Sequence, residues 1–221
     1  MINISIQFWH NKGTIALFIT FVIYNLFMIR KLFITIESLL YITFIIMDFI
    51  HINSTLIKYT SIILCFIYAL YSKKKLKSIA LLFTCLADLF LLVLLKHYEV
   101  GVFIFIFAQL TYLYYLRNID IKISNSILIF RVLIIIIGTI ILYLSNNFGL
   151  LYELVLIYFS TLLFNCFNAF KVKEKTFALG LILFIGCDIC VGLFNTPYSN
   201  SVIAMLMWVF YLPSQVLIVL S

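Results

Sequence analysis

Two aspartates that lie inside long apolar stretches are the residues whose type and spacing could do chemistry. Asp88 lies twelve residues after Leu76, and Asp188 lies twelve residues after Thr176, each behind a lysine-rich loop. At a rise of ~1.5 Å per helical residue, both aspartates would lie ~18 Å along a helix, just beyond the middle of a bilayer. An ionisable group at that depth costs ~3 kcal/mol on insertion scales, so each carboxyl should face the interior of a helical bundle.

Two carboxyl groups in one buried pocket are suited to acid-base hydrolysis. Burial and mutual repulsion would leave one group protonated beside an ionised partner, which divides the roles of proton donor and base. In the alternative interpretation, each aspartate is a separate hydrogen-bonding group between helices. The matched depth of Asp88 and Asp188 favours the shared pocket.

The composition predicts the helices that must position these carboxyls. Of the 221 residues, 66% are hydrophobic and only 10% are charged. A membrane-crossing helix needs ~20 mostly apolar residues, and the alternation of apolar and polar residues typical of a membrane barrel is absent. We therefore predict an all-α, polytopic transmembrane helical bundle that forms a single integral membrane domain over residues 1–221.

Eight to nine spans are predicted, and residues 1–31 hold the additional N-terminal span of the larger count. The predicted spans cover residues 14–29, 32–50, 57–71, 76–95, 98–116, 124–145, 149–170, 176–194 and 201–220.

The basic residues predict the orientation of the spans. Alternate loops contain twelve of the fifteen lysines and arginines, whereas the opposite side has only Lys12, Lys58 and Lys96. Because cytoplasmic loops retain Lys and Arg, the amino terminus should be outside and the carboxyl terminus cytoplasmic. The net charge of +7 is thus a feature of topology and does not indicate nucleic-acid binding.

A weak internal repeat is also present. Residues 80–88 (ALLFTCLAD) are similar to residues 178–188 (ALGLILFIGCD), and four helices separate the two copies. An even separation keeps both copies in the same orientation, so helices two to five and six to nine could be parallel four-helix repeats.

Several short motifs surround the aspartates. They are ALLFTCLADLFLL, Gly101 and FAQLTYLYY, then LILFIGCDICVGL, and finally YLPSQVLIVL in the last helix. From about Lys58 onward, these motifs resemble the YhhN-like lysoplasmalogenase family. Three positions depart from the family pattern: Ala87 replaces the usual Gly, Gln109 replaces a common His, and Lys58-Tyr59-Thr60 replaces a Lys-Pro helix start. Members of the family usually have eight spans.

The resemblance implies hydrolysis of the vinyl-ether bond of a lysoplasmalogen, a lysophospholipid, to a fatty aldehyde and glycerophosphoethanolamine or glycerophosphocholine. One aspartate would protonate the β-carbon, and the other would stabilise the resulting oxocarbenium ion and activate water, with no metal and no cofactor. The substrate-binding candidates are Gln109, Tyr112, Tyr211 and Gln215.

Two other functions fit the same residues. A proton-coupled transporter could use Asp88 and Asp188 as its coupling site, although Pro and Gly are scarce in the middle of the spans, where unwound binding segments would occur. A family member without activity that only binds membrane lipid is consistent with Gln109 in place of His. The sequence makes no prediction of the oligomeric state, and its richness in Ile, Lys, Asn and Phe is compatible with a bacterial cell-membrane protein.

Overall fold

The computed structural model describes residues 27–119, 125–144, 149–197 and 199–221, and all regular structure within them is helical. The helices are α1 (Phe27–Phe49), α2 (Thr55–Tyr71), α3 (Lys75–Asp88), which continues as a π-helical segment (Leu89–Leu94), α4 (Tyr98–Ile119), α5 (Asn125–Leu144), α6 (Leu150–Lys171), α7 (Lys175–Phe194) and α8 (Ser201–Leu220).

Six of these helices are long and apolar enough to cross a membrane, and the apolar parts of α2 and α5 are shorter. The all-helical membrane architecture predicted from the composition is therefore confirmed for the described residues. The count of eight to nine spans stays a prediction, because most of the proposed first span, residues 14–29, lies outside the described residues.

The predicted loop at Arg30 and Lys31 is wrong, since both residues lie inside α1. Arg and Lys are good helix formers, so a charged pair without Pro or Gly does not end a helix.

The chain divides by its packing into residues 1–39 and residues 40–221. The described part of the first unit is the first half of α1, in which the Ser38 hydroxyl donates to the Ile34 carbonyl at 2.8 Å. The prediction of one membrane domain over the whole chain stays a prediction.

In the second unit, six helices form a closed ring. Each of α2, α3, α4, α6, α7 and α8 packs against the next in that order, and α8 packs against α2 to complete the ring, while α5 packs outside against α6. The ring buries a continuous core of aliphatic and aromatic side chains in which polar residues from several helices are embedded.

Two turns of the ring have the same backbone conformation. Lys73 between α2 and α3 has φ 56°, and Lys173 between α6 and α7 has φ 64°. Each of these residues donates its N–H to a carbonyl of the preceding helix at 3.1 Å, to Leu70 and Phe170 respectively. Such left-handed residues satisfy the carbonyl groups at helix ends. The two turns therefore start α3 and α7 in equivalent ways.

The helix geometry changes immediately after Asp88. Residues Leu89–Leu94 form a π-helical turn, and Leu95 ends it with φ 49°. The backbone of α4 approaches closely here, because a Cβ atom on Gly101 would lie 2.6 Å from the Leu91 side chain and 3.3 Å from the Ala87 carbonyl oxygen. Interruptions of this kind within a helix often occur at functional sites. The span predicted over residues 76–95 corresponds to Lys75–Leu94 in the structure, and its final part, Leu89–Leu94, is π-helical.

Pro213 in α8 leaves a backbone acceptor for α1. A proline inside a helix has no N–H to offer the carbonyl four residues earlier, which here belongs to Val209. The Tyr41 hydroxyl donates to that carbonyl oxygen at 3.3 Å. Pro213 is therefore accommodated within α8 by a bond from another helix.

Candidate active site

Asp88 lies at the end of α3 with 4% of its surface exposed. Its Oδ2 atom accepts a hydrogen bond of 2.6 Å from the Tyr211 hydroxyl of α8, and Tyr211 is also buried. The structure thus brings together two of the residues that the sequence analysis selected.

Asp188 lies in α7 and has a tyrosine partner of its own. The Tyr158 hydroxyl of α6 donates to Asp188 Oδ2 at 2.8 Å. Tyr158 is buried, whereas Asp188 is intermediate in exposure. Each aspartate is therefore fixed by one phenol from a different helix of the ring.

Both aspartate–tyrosine pairs surround one aromatic cluster. The ring centroid of Phe184 lies 5.2 Å from that of Tyr211 and 6.3 Å from that of Tyr158. Phe105 lies 5.6 Å from Tyr158 and 5.9 Å from Phe184. The two carboxyl groups thus belong to the same interior region of the ring.

Tyr158 was not among the site residues selected from the sequence. Its depth contains a usable signal. Tyr158 lies eight residues into α6 and Asp188 lies thirteen residues into α7, or ~12 Å and ~20 Å from the opposite ends of antiparallel neighbours. These distances sum to about the ~30 Å thickness of the hydrocarbon core, which places both side chains at one level.

Three of the predicted substrate-binding residues, Gln109, Tyr112 and Gln215, are buried, and we call them the polar layer. Asn165 Nδ2 donates to the backbone carbonyl of Gln109 at 2.8 Å and to its Oε1 atom at 3.0 Å. Tyr112 packs its ring 5.3 Å from Phe177, and Gln215 donates to the Ser214 hydroxyl at 3.3 Å. No hydrogen bond among the described residues joins Gln109, Tyr112 or Gln215 to either aspartate.

Two buried amide atoms of this layer, Gln109 Nε2 and Gln215 Oε1, have no hydrogen-bond partner among the described residues. Unpaired buried polar atoms are uncommon and usually have an explanation such as a ligand or a catalytic role. Both atoms are therefore available to a polar group that enters the ring.

An ion pair near Tyr211 was also missed. Lys58 Nζ lies 2.7 Å from Asp48 Oδ2, and the Ser54 hydroxyl donates to the other oxygen of the same carboxylate. The Lys58 ammonium lies 5.0 Å from the Trp208 ring, which packs 5.4 Å from Tyr211. This ion pair joins α1 to α2 across the turn between them.

Two cavities in the described part of the chain are lined by residues other than the aspartates. The larger has a volume of about 340 Å³ and is lined by Lys73, Lys74, Lys75, Leu76, Lys77, Tyr115 and Ser221. The smaller, of about 10 Å³, lies between α5 and α6. The described residues contain no group of three or more His, Cys, Asp or Glu side chains that could hold a metal, and the absence of a metal and of a cofactor stays a prediction.

The fold and the site together define a helical membrane protein with two interior aspartate–tyrosine pairs. The model of the YhhN family matches residues 53–221, which include α2 to α8 and all six predicted site residues, and the chain belongs to this family. The resemblance stated from the sequence motifs is thereby confirmed. No curated protein and no solved structure matches the chain.

Proposed function

We propose that this protein hydrolyses the vinyl-ether bond of a lysoplasmalogen within the membrane. The observation that supports this most directly is the pair of carboxyl groups, each held by a phenol, around one aromatic cluster. Membership of the YhhN family is consistent with a hydrolase.

The two carboxyl groups would act in sequence. A protonated aspartate donates its proton to the β-carbon of the vinyl ether, which produces an oxocarbenium ion. The second, ionised aspartate stabilises this cation and accepts a proton from water as the water attacks, which forms a hemiacetal. The hemiacetal collapses to a fatty aldehyde and a glycerophospho product, so one water is consumed. The assignment of Asp88 and Asp188 to the two steps stays open.

The two tyrosines would position the carboxyl groups. A phenol that donates to one oxygen leaves the other oxygen of the same carboxyl to face the substrate. Tyr211 lies on α8 and Tyr158 lies on α6. The geometry of the site therefore depends on how these helices pack against their neighbours in the ring.

The substrate would contact the polar layer beside the aspartates. Gln109 and Gln215 each offer an unpaired amide atom to a polar group of the lipid, and Tyr112 and Tyr211 complete the predicted binding set. The long alkenyl chain would lie along apolar helix faces. Since neither aspartate lines a cavity described above, we infer that helices separate to admit the lipid, beside the π-helical segment that follows Asp88.

A proton-coupled transporter is the second candidate, and the equivalent turns favour it. Lys75 begins α3 thirteen residues before Asp88, and Lys175 begins α7 thirteen residues before Asp188. Two equivalent elements with one carboxyl each are consistent with parallel repeats around a shared coupling site. A lipid-binding member without activity is the third candidate, because Gln109 cannot transfer a proton as a histidine can.

We propose eight or nine spans, the carboxyl terminus in the cytoplasm and a bacterial cell membrane as the location. The lysine-rich α2–α3 and α6–α7 turns would then lie on the same, inner side.

The test is detection of products by mass spectrometry. Purified protein in detergent is incubated with lysoplasmenylethanolamine, and fatty aldehyde and glycerophosphoethanolamine are measured for the parent, Asp88→Asn and Asp188→Asn. Glu99→Gln removes an exposed carboxyl of α4 and is the matched control. Turnover by the parent and the control alone supports the proposal. Full turnover by both aspartate variants would refute the roles given to them.

Absence of turnover by the parent would favour the other two candidates. Flux into sealed liposomes that requires both aspartates would then identify a transporter, and lipid binding without flux would identify a binding protein.

A further inference from the structure

One cavity of the described part of the chain lies at the lysine-rich end of the ring, and neither aspartate lines it. Its volume is about 340 Å³, and four of its lining residues are lysines, namely Lys73, Lys74, Lys75 and Lys77. A concave site lined by several ammonium groups attracts anions, because their fields add within it.

Lys77 is the buried member of this group, with 2% of its surface exposed. Its Nζ atom donates to the Ser221 hydroxyl at 2.7 Å and lies 4.6 Å from the Tyr115 ring and 5.3 Å from the Phe177 ring. All three contacts are to neutral groups. Among the described residues, no Asp or Glu carboxylate forms an ion pair with Lys77 within 4 Å.

Packing alone does not explain a lysine at this position. In the equivalent turn before α7, the corresponding residue is Phe177, which is fully buried. An apolar side chain thus fills the same place in the second copy of the turn. Burial of an ammonium group is unfavourable unless an opposite charge approaches it.

The second turn also has lysines. Lys171, Lys173 and Lys175 flank it, and neither of the two cavities above is lined by any of them. Positive charge at the membrane surface is therefore common to both turns, and the cavity with the buried ammonium group of Lys77 lies at the first turn.

We propose that the cavity formed by Lys73, Lys74, Lys75, Lys77, Tyr115 and Ser221 is a binding site for one phosphate group. Phosphate oxygens would accept hydrogen bonds from the ammonium groups of Lys73, Lys75 and Lys77 and from the Tyr115 hydroxyl. Lys74 shapes the wall of the cavity, because its ammonium group already donates to the carbonyl oxygens of Val219 at 3.3 Å and Ser221 at 2.8 Å. The Ser221 hydroxyl donates to the Ile218 carbonyl at 2.7 Å. The phosphate belongs either to an anionic lipid headgroup or to a free phosphate compound. This site is separate from the aspartates and does not depend on the proposed hydrolysis.

The test measures binding to the purified full chain in detergent by isothermal titration calorimetry. The probes are dioctanoyl phosphatidic acid, inorganic phosphate and, as a zwitterionic comparison, dioctanoyl phosphatidylcholine. The variants are Lys77→Met, which keeps the length of the buried side chain, and the double variant Lys73→Met/Lys75→Met, which changes only exposed residues. Lys173→Met/Lys175→Met in the equivalent turn is the matched control.

We expect saturable binding of phosphatidic acid or inorganic phosphate. Each variant of the first turn should weaken it by roughly tenfold, because charge-assisted hydrogen bonds are lost, and the control double variant should bind as the parent does. Binding of inorganic phosphate would identify the free anion as sufficient, and binding of phosphatidic acid alone would identify the lipid as the source. Equal weakening by both double variants, equal binding of phosphatidylcholine, or no binding of either anionic probe would overturn the proposal.

Discussion

Removal of the Tyr211 hydroxyl should slow the proposed hydrolysis without unfolding the protein. Tyr211→Phe deletes the donor that lies 2.6 Å from Asp88 Oδ2. It retains the ring, which packs 5.2 Å from Phe184 and 5.4 Å from Trp208. The substitution therefore changes the position and solvation of one carboxyl group while the aromatic cluster persists.

The expected magnitude follows from the burial of both partners. A hydrogen bond to a charged group contributes ~1.5–3 kcal/mol, and each ~1.4 kcal/mol corresponds to a factor of ten in rate. Asp88 and Tyr211 are both 4% exposed, so water cannot easily replace the lost donor. We expect kcat to fall by roughly ten- to one-hundredfold, because the hydroxyl positions a reacting group.

The assay is aldehyde release from lysoplasmenylethanolamine under steady-state conditions. Tyr158→Phe should have a similar effect through Asp188, whereas Tyr114→Phe removes the hydroxyl of an exposed residue and should have none. In the Asp88→Asn background, Tyr211→Phe should add little, because the two residues act as a unit. Parental kcat in Tyr211→Phe, in a preparation that Asp88→Asn inactivates, would refute this reasoning.

Two predictions concern stability, measured as thermal unfolding in detergent. Gly180→Ala should lower the free energy of unfolding by ~1–3 kcal/mol, because its Cβ would lie 2.8 Å from Ile218 Cγ1 and 3.0 Å from the Ser214 carbonyl oxygen. Gly192→Ala is the control, because its Cβ meets nothing within 4 Å. An equal effect of the two substitutions would contradict the packing argument. Lys58→Met should cost ~3 kcal/mol, because Asp48 is left without its cation, and addition of Asp48→Asn should recover part of that loss; a double variant that shows the full sum of both losses would disprove the ion pair's contribution.

Composition and spacing were enough to predict the class of fold and to select two interior aspartates as candidate site residues. Long apolar runs must satisfy their backbone groups internally, so they become helices wherever they meet a bilayer. An ionisable residue within such a run must face the interior, which singles out Asp88 and Asp188 before any helix is placed.

Only the tertiary structure decided which side chains meet these aspartates. Tyr211 of α8 donates to Asp88, which lies 123 residues earlier in the chain. Tyr158 of α6 donates to Asp188 of α7. The side chains of Gln109 and Gln215, which were selected from the motifs, form hydrogen bonds with Asn165 and Ser214 and not with the aspartates. The residues of the π-helical turn after Asp88 do not themselves predict it. The turn lies where Gly101 of the next helix approaches closely. Such contacts depend on which faces of the helices pack together. Because a membrane helix has apolar residues on every side, its sequence alone does not show which face packs against a neighbour.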